Sequence, residues 1–152
     1  MNIQRVTTVT PAHWRLLLMA DPERAAITRY LPQSTVWEAL NTTDNLIGIL
    51  VLQSHGAALE IMNLAVAPAA RRQHVATNLL TFAKHYGNRH HFVQLMVGTG
   101  STSFAQLALY QKVGFRLASI DRDFFTSHYS KPIYENGIRL RDMVRLIMPL
   151  MP

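Results

Sequence analysis

The sequence has 152 residues and a formal net charge of +6, from fifteen Lys and Arg against nine Asp and Glu, and it contains no cysteine. This length suits one domain, so we expect a single domain over residues 1–152. The absence of cysteine excludes disulfide bonds, thiolate metal ligands and a cysteine nucleophile. No apolar run reaches the ~18 residues of a membrane span, and the amino terminus lacks a signal-peptide pattern. We therefore expect a cytoplasmic protein with no membrane partner.

The positive charge favours an anionic partner. Arg71 and Arg72 are the only adjacent basic pair, so the sequence shows no basic stripe of the kind that follows a nucleic-acid backbone. A small polyanionic cofactor suits these scattered charges, and nucleic acid is not the partner that we expect.

The first 66 residues predict a strand, two helices and an antiparallel meander. Pro11 can open the first helix, because a first-turn residue needs no N–H donor. Apolar, β-branched runs separated by turn-forming residues are typical of hairpin strands. The predicted elements are a strand at 3–9, helices at 11–20 and 23–31, and strands at 35–40, 46–54 and 58–66.

After Pro68 the spacing of apolar residues changes from two to 3.6, which predicts a helix from Val75 that ends at Gly87. The remaining predicted elements are a buried strand at 91–98, a helix at 104–113 closed by Gly114, a strand at 115–125, a turn-rich segment at 126–137 and an apolar last strand at 138–150. Alternating strands and helices of this kind indicate an α+β domain.

The stretch from Glu60 to Thr77 predicts a strand that runs through a short basic loop into a helix. A helix start offers unpaired N–H groups and the positive end of the helix dipole, so it attracts phosphate. Arg71 and Arg72 would add charge-assisted hydrogen bonds to the same phosphates. The alternative is a solvated basic turn before an amphipathic helix.

Two segments resemble motifs of the GNAT superfamily of N-acetyltransferases. Arg71-Arg72-Gln73-His74-Val75-Ala76 resembles the acetyl-CoA-binding pattern Gln/Arg-x-x-Gly-x-Gly/Ala, with His74 where the family usually has glycine. Leu107 to Phe115 resembles the later Leu-Tyr-x-x-x-Gly-Phe segment. The resemblance is to small single-domain bacterial members of the family. It implies a mixed, mainly antiparallel sheet of about six to seven strands flanked by about four helices.

The resemblance further implies an enzyme that takes acetyl-CoA as co-substrate, needs no metal and transfers the acetyl group to a primary amine. Implied cofactor contacts come from the end of the strand before the loop, from the loop and helix start, and from the later helix. These residues are Leu64, Ala65, Val66, Arg71, Arg72, Gln73, His74, Val75, Ala76, Thr77, Ser103 and Tyr110. Ser103 stands where the family often has asparagine, and its alternative role is a helix cap.

Glu60 and Tyr110 are the candidate catalytic residues. An amine of lysine type has a pKa near 10.4, so only about one molecule in 10³ is neutral at pH 7 and a general base is needed. Glu60 is at the position of the base in one branch of the family, and strand alternation would place it on one face with Met62, Leu64 and Val66. Tyr110 would protonate the leaving thiolate. The alternative to a catalytic role is a solvent-facing carboxylate for Glu60 and an aromatic ring packed on Leu107 for Tyr110.

Three questions stay open at this stage. The acceptor could be a small molecule or a peptide, and Asp121, Asp123 and Glu135 are candidates for attracting its amine. His74 in place of glycine leaves room for a non-catalytic acyl-CoA-binding or nucleic-acid-binding regulatory module. The apolar last strand would allow pairing with a second chain in a homodimer. The adjacent His90 and His91 would point to opposite sides of a strand, so we expect no metal site.

Overall fold

The computed structural model describes residues 1–151, and within them the chain forms nine strands and five α-helices. The strands are β1 Asn2–Val6, β2 Thr35–Leu40, β3 Leu46–His55, β4 Ala58–Val66, β5 Gln94–Gly100, β6 Arg116–Asp121, β7 Tyr134–Glu135, β8 Ile138–Arg139 and β9 Met143–Pro149. The helices are α1 Pro11–Ala20, α2 Arg24–Tyr30, α3 Val75–Arg89, α4 Phe104–Val113 and α5 Phe124–His128.

Seven of the strands form one twisted sheet in the order β1-β2-β3-β4-β5-β9-β6. Only β4 and β5 are parallel, because α3 carries the chain back across the sheet between them. The other neighbours are antiparallel, and β7 pairs with β8 in a separate hairpin. The predicted fold class, a mixed and mainly antiparallel sheet with flanking helices, is confirmed. The fifth helix, α5, was not predicted.

The sheet is buried on both faces, and β3 shows why its sequence is a continuous apolar run. Leu50 and Leu52 pack beneath α3 and α4, on what we call the α3 face. Ile49 and Val51 alternate with them and pack beneath α1 and α2, on what we call the α1 face. On the α3 face, a Cβ added at Gly48 would lie 3.0 Å from the Leu79 side chain, so this glycine lets α3 lie close to the sheet.

A β-bulge at Met62 interrupts β4. On the β3 side, Val51 pairs with Asn63 and Leu52 pairs with Ile61, so Met62 is an extra residue without a partner on β3. On the β5 side, pairing ends at Ile61 and Val97. A bulge bends its strand and increases the local twist. Beyond Met62, β4 therefore stays with β3 and diverges from β5.

The bulge also exchanges the two faces of β4, which corrects the expectation for Glu60. Ile61 belongs to the core of the α3 face, and so do Leu64 and Val66 after the bulge. Glu60 alternates with Ile61 and therefore lies on the α1 face, which Met62 also joins. The prediction that Glu60 shares a face with Leu64 and Val66 is wrong, because it assumed an uninterrupted period of two.

Other differences have local causes. The α3 helix passes through Gly87 to Arg89 instead of ending there, since Leu150 packs so closely that a Cβ at position 87 would lie 2.6 Å from it. The predicted strand 115–125 ends at Asp121, and Phe124 begins α5. The predicted strand 138–150 is divided into β8 and β9.

Strand β9 lies between β5 and β6. Its apolar character reflects this interior position, so the prediction that it is free to pair with a second chain is wrong. None of the helices within residues 1–151 combines the length and the apolar composition that crossing a bilayer requires.

Asn63 joins β4 to the two helices of the α1 face. Its Nδ2 donates to the Leu17 carbonyl of α1 and to the Tyr30 hydroxyl of α2, each at 3.0 Å. The residue is 4% exposed, and its Oδ1 has no hydrogen-bond partner among the described residues. A polar side chain in the middle of an apolar strand thus fixes where α1 and α2 dock.

We expect Asn63→Ala to lower the free energy of unfolding by about 2–3 kcal/mol, since it removes two buried hydrogen bonds and leaves a cavity. Urea denaturation measures the change. Asn78→Ala, an exposed asparagine on α3, is the matched control and should change stability by no more than about 0.5 kcal/mol. Equal effects of the two substitutions would contradict the docking role.

Candidate active site

A groove of about 560 Å³ lies on the α3 face, between the loop after β4, the start of α3 and the side of α4. It brings together seven of the twelve residues predicted to contact a cofactor: Val66, Arg71, Arg72, His74, Val75, Ala76 and Thr77. Four lining residues were missed by sequence reasoning: Ala70, Ala105, Gln106 and Leu109. Three of these lie on α4 at positions i, i+1 and i+4, which share one helix face.

The start of α3 gives one end of the groove its affinity for anions. No side chain caps this helix, and the N–H groups of Val75, Ala76 and Thr77 have no acceptor inside it. Neither Arg71 nor Arg72 forms an ion pair with residues 1–151. Unpaired N–H groups, the helix dipole and two arginines therefore converge where a phosphate can bind.

His74 immediately precedes α3 with left-handed backbone, at a φ of +62°. Arg72 has the same conformation, at +61°. Left-handed backbone crowds a Cβ and favours glycine, although histidine adopts it more often than most residues do. This geometry explains why the related motif has glycine at position 74.

The divergence of β4 from β5 exposes backbone donors beside the groove. Ala67 N–H donates to the Ile47 carbonyl on the β3 side at 2.8 Å. Because successive N–H groups of a strand point to opposite sides, those of Val66 and Leu64 point toward β5, which has already diverged. The side chain of Ala65 belongs to the α1 face, so it lies on the other side of the sheet from the groove.

Tyr110 lies on α4 and is 5% exposed. It packs edge-on against Phe115, with ring centroids 5.8 Å apart. Burial raises the pKa of its hydroxyl to about 12, so the phenol is protonated at neutral pH. Its ring is part of the core.

Glu60 is not the solvent-facing carboxylate of the alternative interpretation. Its side chain is 16% exposed, and Oε1 lies 2.9 Å from Nε2 of His55. His55 ends β3 at the hairpin turn, so the carboxylate is held on the α1 face toward that turn.

The other predicted residues lie outside the groove lining. Ser103 precedes α4, but its hydroxyl donates to Glu135 at 2.8 Å and does not cap the helix, so the alternative role of this side chain as a helix cap is wrong. Gln73 donates to the Ala69 carbonyl at 3.2 Å. Of the three acids considered for the acceptor, Glu135 is held by Ser103 and Asp121 lies 3.3 Å from Arg145. No three His, Cys, Asp or Glu side chains of residues 1–151 are placed to hold a metal ion.

A half-buried acid that sequence reasoning did not identify as a functional candidate lies on the α1 face. Asp21 follows α1 and accepts hydrogen bonds from the hydroxyls of Tyr129 at 2.9 Å and Tyr30 at 3.5 Å. Burial raises the pKa of this carboxyl, and the Tyr129 hydrogen bond partly opposes that effect.

Tyr129 also lines a second cavity, of about 200 Å³, between α5 and the β7–β8 hairpin. The molecule therefore has a long groove on the α3 face, a small cavity on the other side, and the opening between β4 and β5 in the sheet.

Comparison with known proteins gives a consistent result. The sequence model of the acetyltransferase (GNAT) family matches residues 8–115. The N-acetyltransferase YvbK of Bacillus subtilis (strain 168) is 39% identical over 136 residues, which are 89% of this chain and 87% of that protein.

Solved structures match over nearly the whole chain. A GNAT family acetyltransferase from Elizabethkingia anophelis with acetyl-CoA bound is 37% identical, with a TM-score of 0.93 over 98% of this chain and 97% of that one. An IAA acetyltransferase from Bacillus cereus ATCC 14579 is 40% identical, with a TM-score of 0.91 over 98% and 99%.

We expect His74→Gly to raise the free energy of unfolding by about 0.5–1 kcal/mol. The free energy gained by relieving the left-handed backbone strain exceeds the free energy lost because glycine is more flexible in the unfolded chain. Arg71→Gly is the control, because Arg71 has a φ of −67° and gains no such relief. Chemical denaturation should show opposite signs for the two variants, and a destabilised His74→Gly protein would refute the strain.

The raised pKa of Asp21 predicts a pH-dependent difference from Asp21→Asn. The folded state binds the proton of the Asp21 carboxyl more tightly than the unfolded state does. The contribution of this proton to the free energy of unfolding is therefore fully present below the ordinary pKa of 3.8, and it is lost as pH rises through the raised pKa of the folded state. Relative to the Asn variant, wild type should therefore lose stability with rising pH and then level off. Urea unfolding from about pH 3 to about pH 8 tests this. Parallel curves for the two proteins would contradict it.

Proposed function

Because this chain belongs to the acetyltransferase (GNAT) family and its co-substrate is acetyl-CoA, we propose that it transfers the acetyl group to a primary amine by direct attack. The observation that carries the proposal is the junction of the groove with the opening between β4 and β5. A polyanion can be held at the start of α3 while the reactive end of the same molecule reaches the middle of the sheet.

The groove suits the chemistry of acetyl-CoA along its length. The diphosphate would bind the free N–H groups of α3 together with Arg71 and Arg72. The rest of the lining is mainly small or apolar, with Val66 on one wall and Ala105 and Leu109 on the other. That lining fits an extended pantetheine arm, whose amide groups would pair with the open edge of β4.

Leu64 and Val66 would stabilise the charge that develops on the acetyl oxygen. Their N–H groups already point into the opening, so they need no rearrangement when the amine attacks. Fixed donors of this kind are among the largest contributions to acyl transfer, and loss of one such donor costs about 10²–10³ in kcat. A backbone donor cannot be removed by exchanging its side chain, which is why apolar residues suffice here.

Tyr110 would hydrogen-bond the departing sulfur. Burial raises its pKa to about 12, above that of an ordinary thiol, so complete proton transfer to the thiolate is unfavourable. The stronger contribution is therefore a hydrogen bond that stabilises the thiolate. The proton lost by the amine balances the one that CoA finally gains.

Glu60 would take the proton of the acceptor amine. The bulge places it on the α1 face, opposite the groove, so the acid and the cofactor's phosphates lie on different sides of the sheet. Its partner His55, whose Nε2 lies 2.9 Å from Oε1, can accept the proton next. The amine would approach through the same face, past α1, α2 and α5.

The test is release of free thiol from acetyl-CoA in the presence of a panel of primary amines. Tyr110→Phe should lower kcat by about 10² while CoA affinity stays nearly unchanged, because the lost hydroxyl acts on the leaving group. Tyr86→Phe is the matched control on α3, where Tyr86 stacks on His90 outside the groove.

An unchanged rate for Tyr110→Phe would remove this tyrosine from the mechanism. Tight CoA binding without thiol release across the whole panel would favour a non-catalytic acyl-CoA-binding module instead.

A further inference from the structure

The 200 Å³ cavity between α5 and the β7–β8 hairpin lies beside the end of β5. Leu140 lines the cavity and packs against Gly100, the last residue of β5, where an added Cβ would lie 2.6 Å from it. On the α1 face, the hydroxyls of Tyr129 and Tyr30 both donate to Asp21, and Asn63 of β4 donates to the Tyr30 hydroxyl. Hydrogen bonds therefore link the cavity to β4 immediately after the bulge.

The cavity wall carries two cations and no acid. Lys131 and Arg139 both line it, and neither forms an ion pair with residues 1–151. The Nε of Arg139 is buried, and its hydrogen has no acceptor within the described part of the chain. A buried donor without a partner costs free energy, and an anionic ligand would remove that cost at this position.

Two residues of the cavity lining are hydrogen-bonded to acids outside it. Tyr129 and Ser130 both line the cavity. The Tyr129 hydroxyl donates to Asp21 at 2.9 Å, and Ser130 donates to Glu23 through its N–H at 3.1 Å and its hydroxyl at 3.2 Å. The site thus combines two cations in its lining with carboxylates that lie behind Tyr129 and Ser130.

From this polarity we infer that the acceptor is a small amine that also carries a carboxylate, an amino-acid type of molecule. Arg139 and Lys131 bind its carboxylate, and its amine lies toward Tyr129 and the opening between β4 and β5. The volume of about 200 Å³ suits a small molecule.

This inference rests on the proposed N-acetyl transfer, and it adds the class of acceptor. The step balances without a further reactant: the amine nitrogen forms a bond to the acetyl carbon, the carbon–sulfur bond breaks, the amine loses one proton and the thiolate gains one. The carboxylate takes no part in the bonds that change, so Arg139 and Lys131 act in binding.

The experiment compares α-amino acids with their α-carboxamides as acceptors in the thiol-release assay. At least one amino acid should exceed its own carboxamide by tenfold or more in kcat/KM, on the order expected for a hydrogen bond to a charged group. Arg139→Gln should abolish this preference by raising KM for the acid, with little change for the carboxamide. Arg139→Lys should restore part of it.

Arg141→Gln is the matched control, because Arg141 is exposed, loses the same charge and does not line the cavity. If amines release thiol but the carboxamides perform as well as the acids, or if Arg139→Gln and Arg141→Gln behave alike, the inference is overturned while the proposed function stands.

If no amine of either series releases thiol, the proposed function fails. The acceptor class is then decided by NMR saturation transfer from the CoA-loaded protein to the same amino acids. Binding that Arg139→Gln removes and Arg141→Gln retains supports the inference. Absence of binding, or binding that is indifferent to Arg139, rejects it.

Discussion

The extra residue at Met62 in β4 is the constraint on which the rest of the site depends. Because the bulge turns β4 away from β5 after Ile61 and Val97, a sheet that would otherwise be closed has an opening at its centre. Backbone N–H groups left without partners inside a protein are costly. The open edge at Leu64 and Val66 is therefore tolerated where a ligand with its own amide and carbonyl groups can complete the pairing.

In the proposed mechanism the same bulge would separate the two substrates. After it, the side chains that face α3 and the groove are apolar, whereas Glu60 before it and Asn63 after it face α1. The arginines proposed to bind the polyanion are exposed beside the groove, and the proposed base lies on the other face. Glu60 accordingly pairs with His55 on its own face and not with Arg71 or Arg72, and the two substrates would meet at the opening between β4 and β5.

The sequence predicted correctly those helices whose ends are marked by a nearby proline or glycine. The bounds of α1 and α4 agree with the structure because Pro11 and Gly114 mark a helix start and a helix end within one turn. Features set by distant contacts were not predictable in this way. Met62 resembles any other apolar strand residue, Gly87 stays helical because Leu150 packs on it, and small groove residues such as Ala105 carry no signal of their own. Asp21 became visible only once Tyr129, far along the chain, was placed beside it.

The positions of the arginines relate the basic composition of the chain to its fold. Twelve of the fifteen basic residues are arginine, the side chain that binds oxyanions through two parallel donors. From the sequence, the positive charge could be assigned to one polyanionic partner at Arg71 and Arg72. The Nε of Arg139 has no hydrogen-bond partner among the described residues, and in the proposed assignment it would bind a second, smaller anion. The net charge of +6 would then attract both acetyl-CoA and an acceptor carrying a carboxylate.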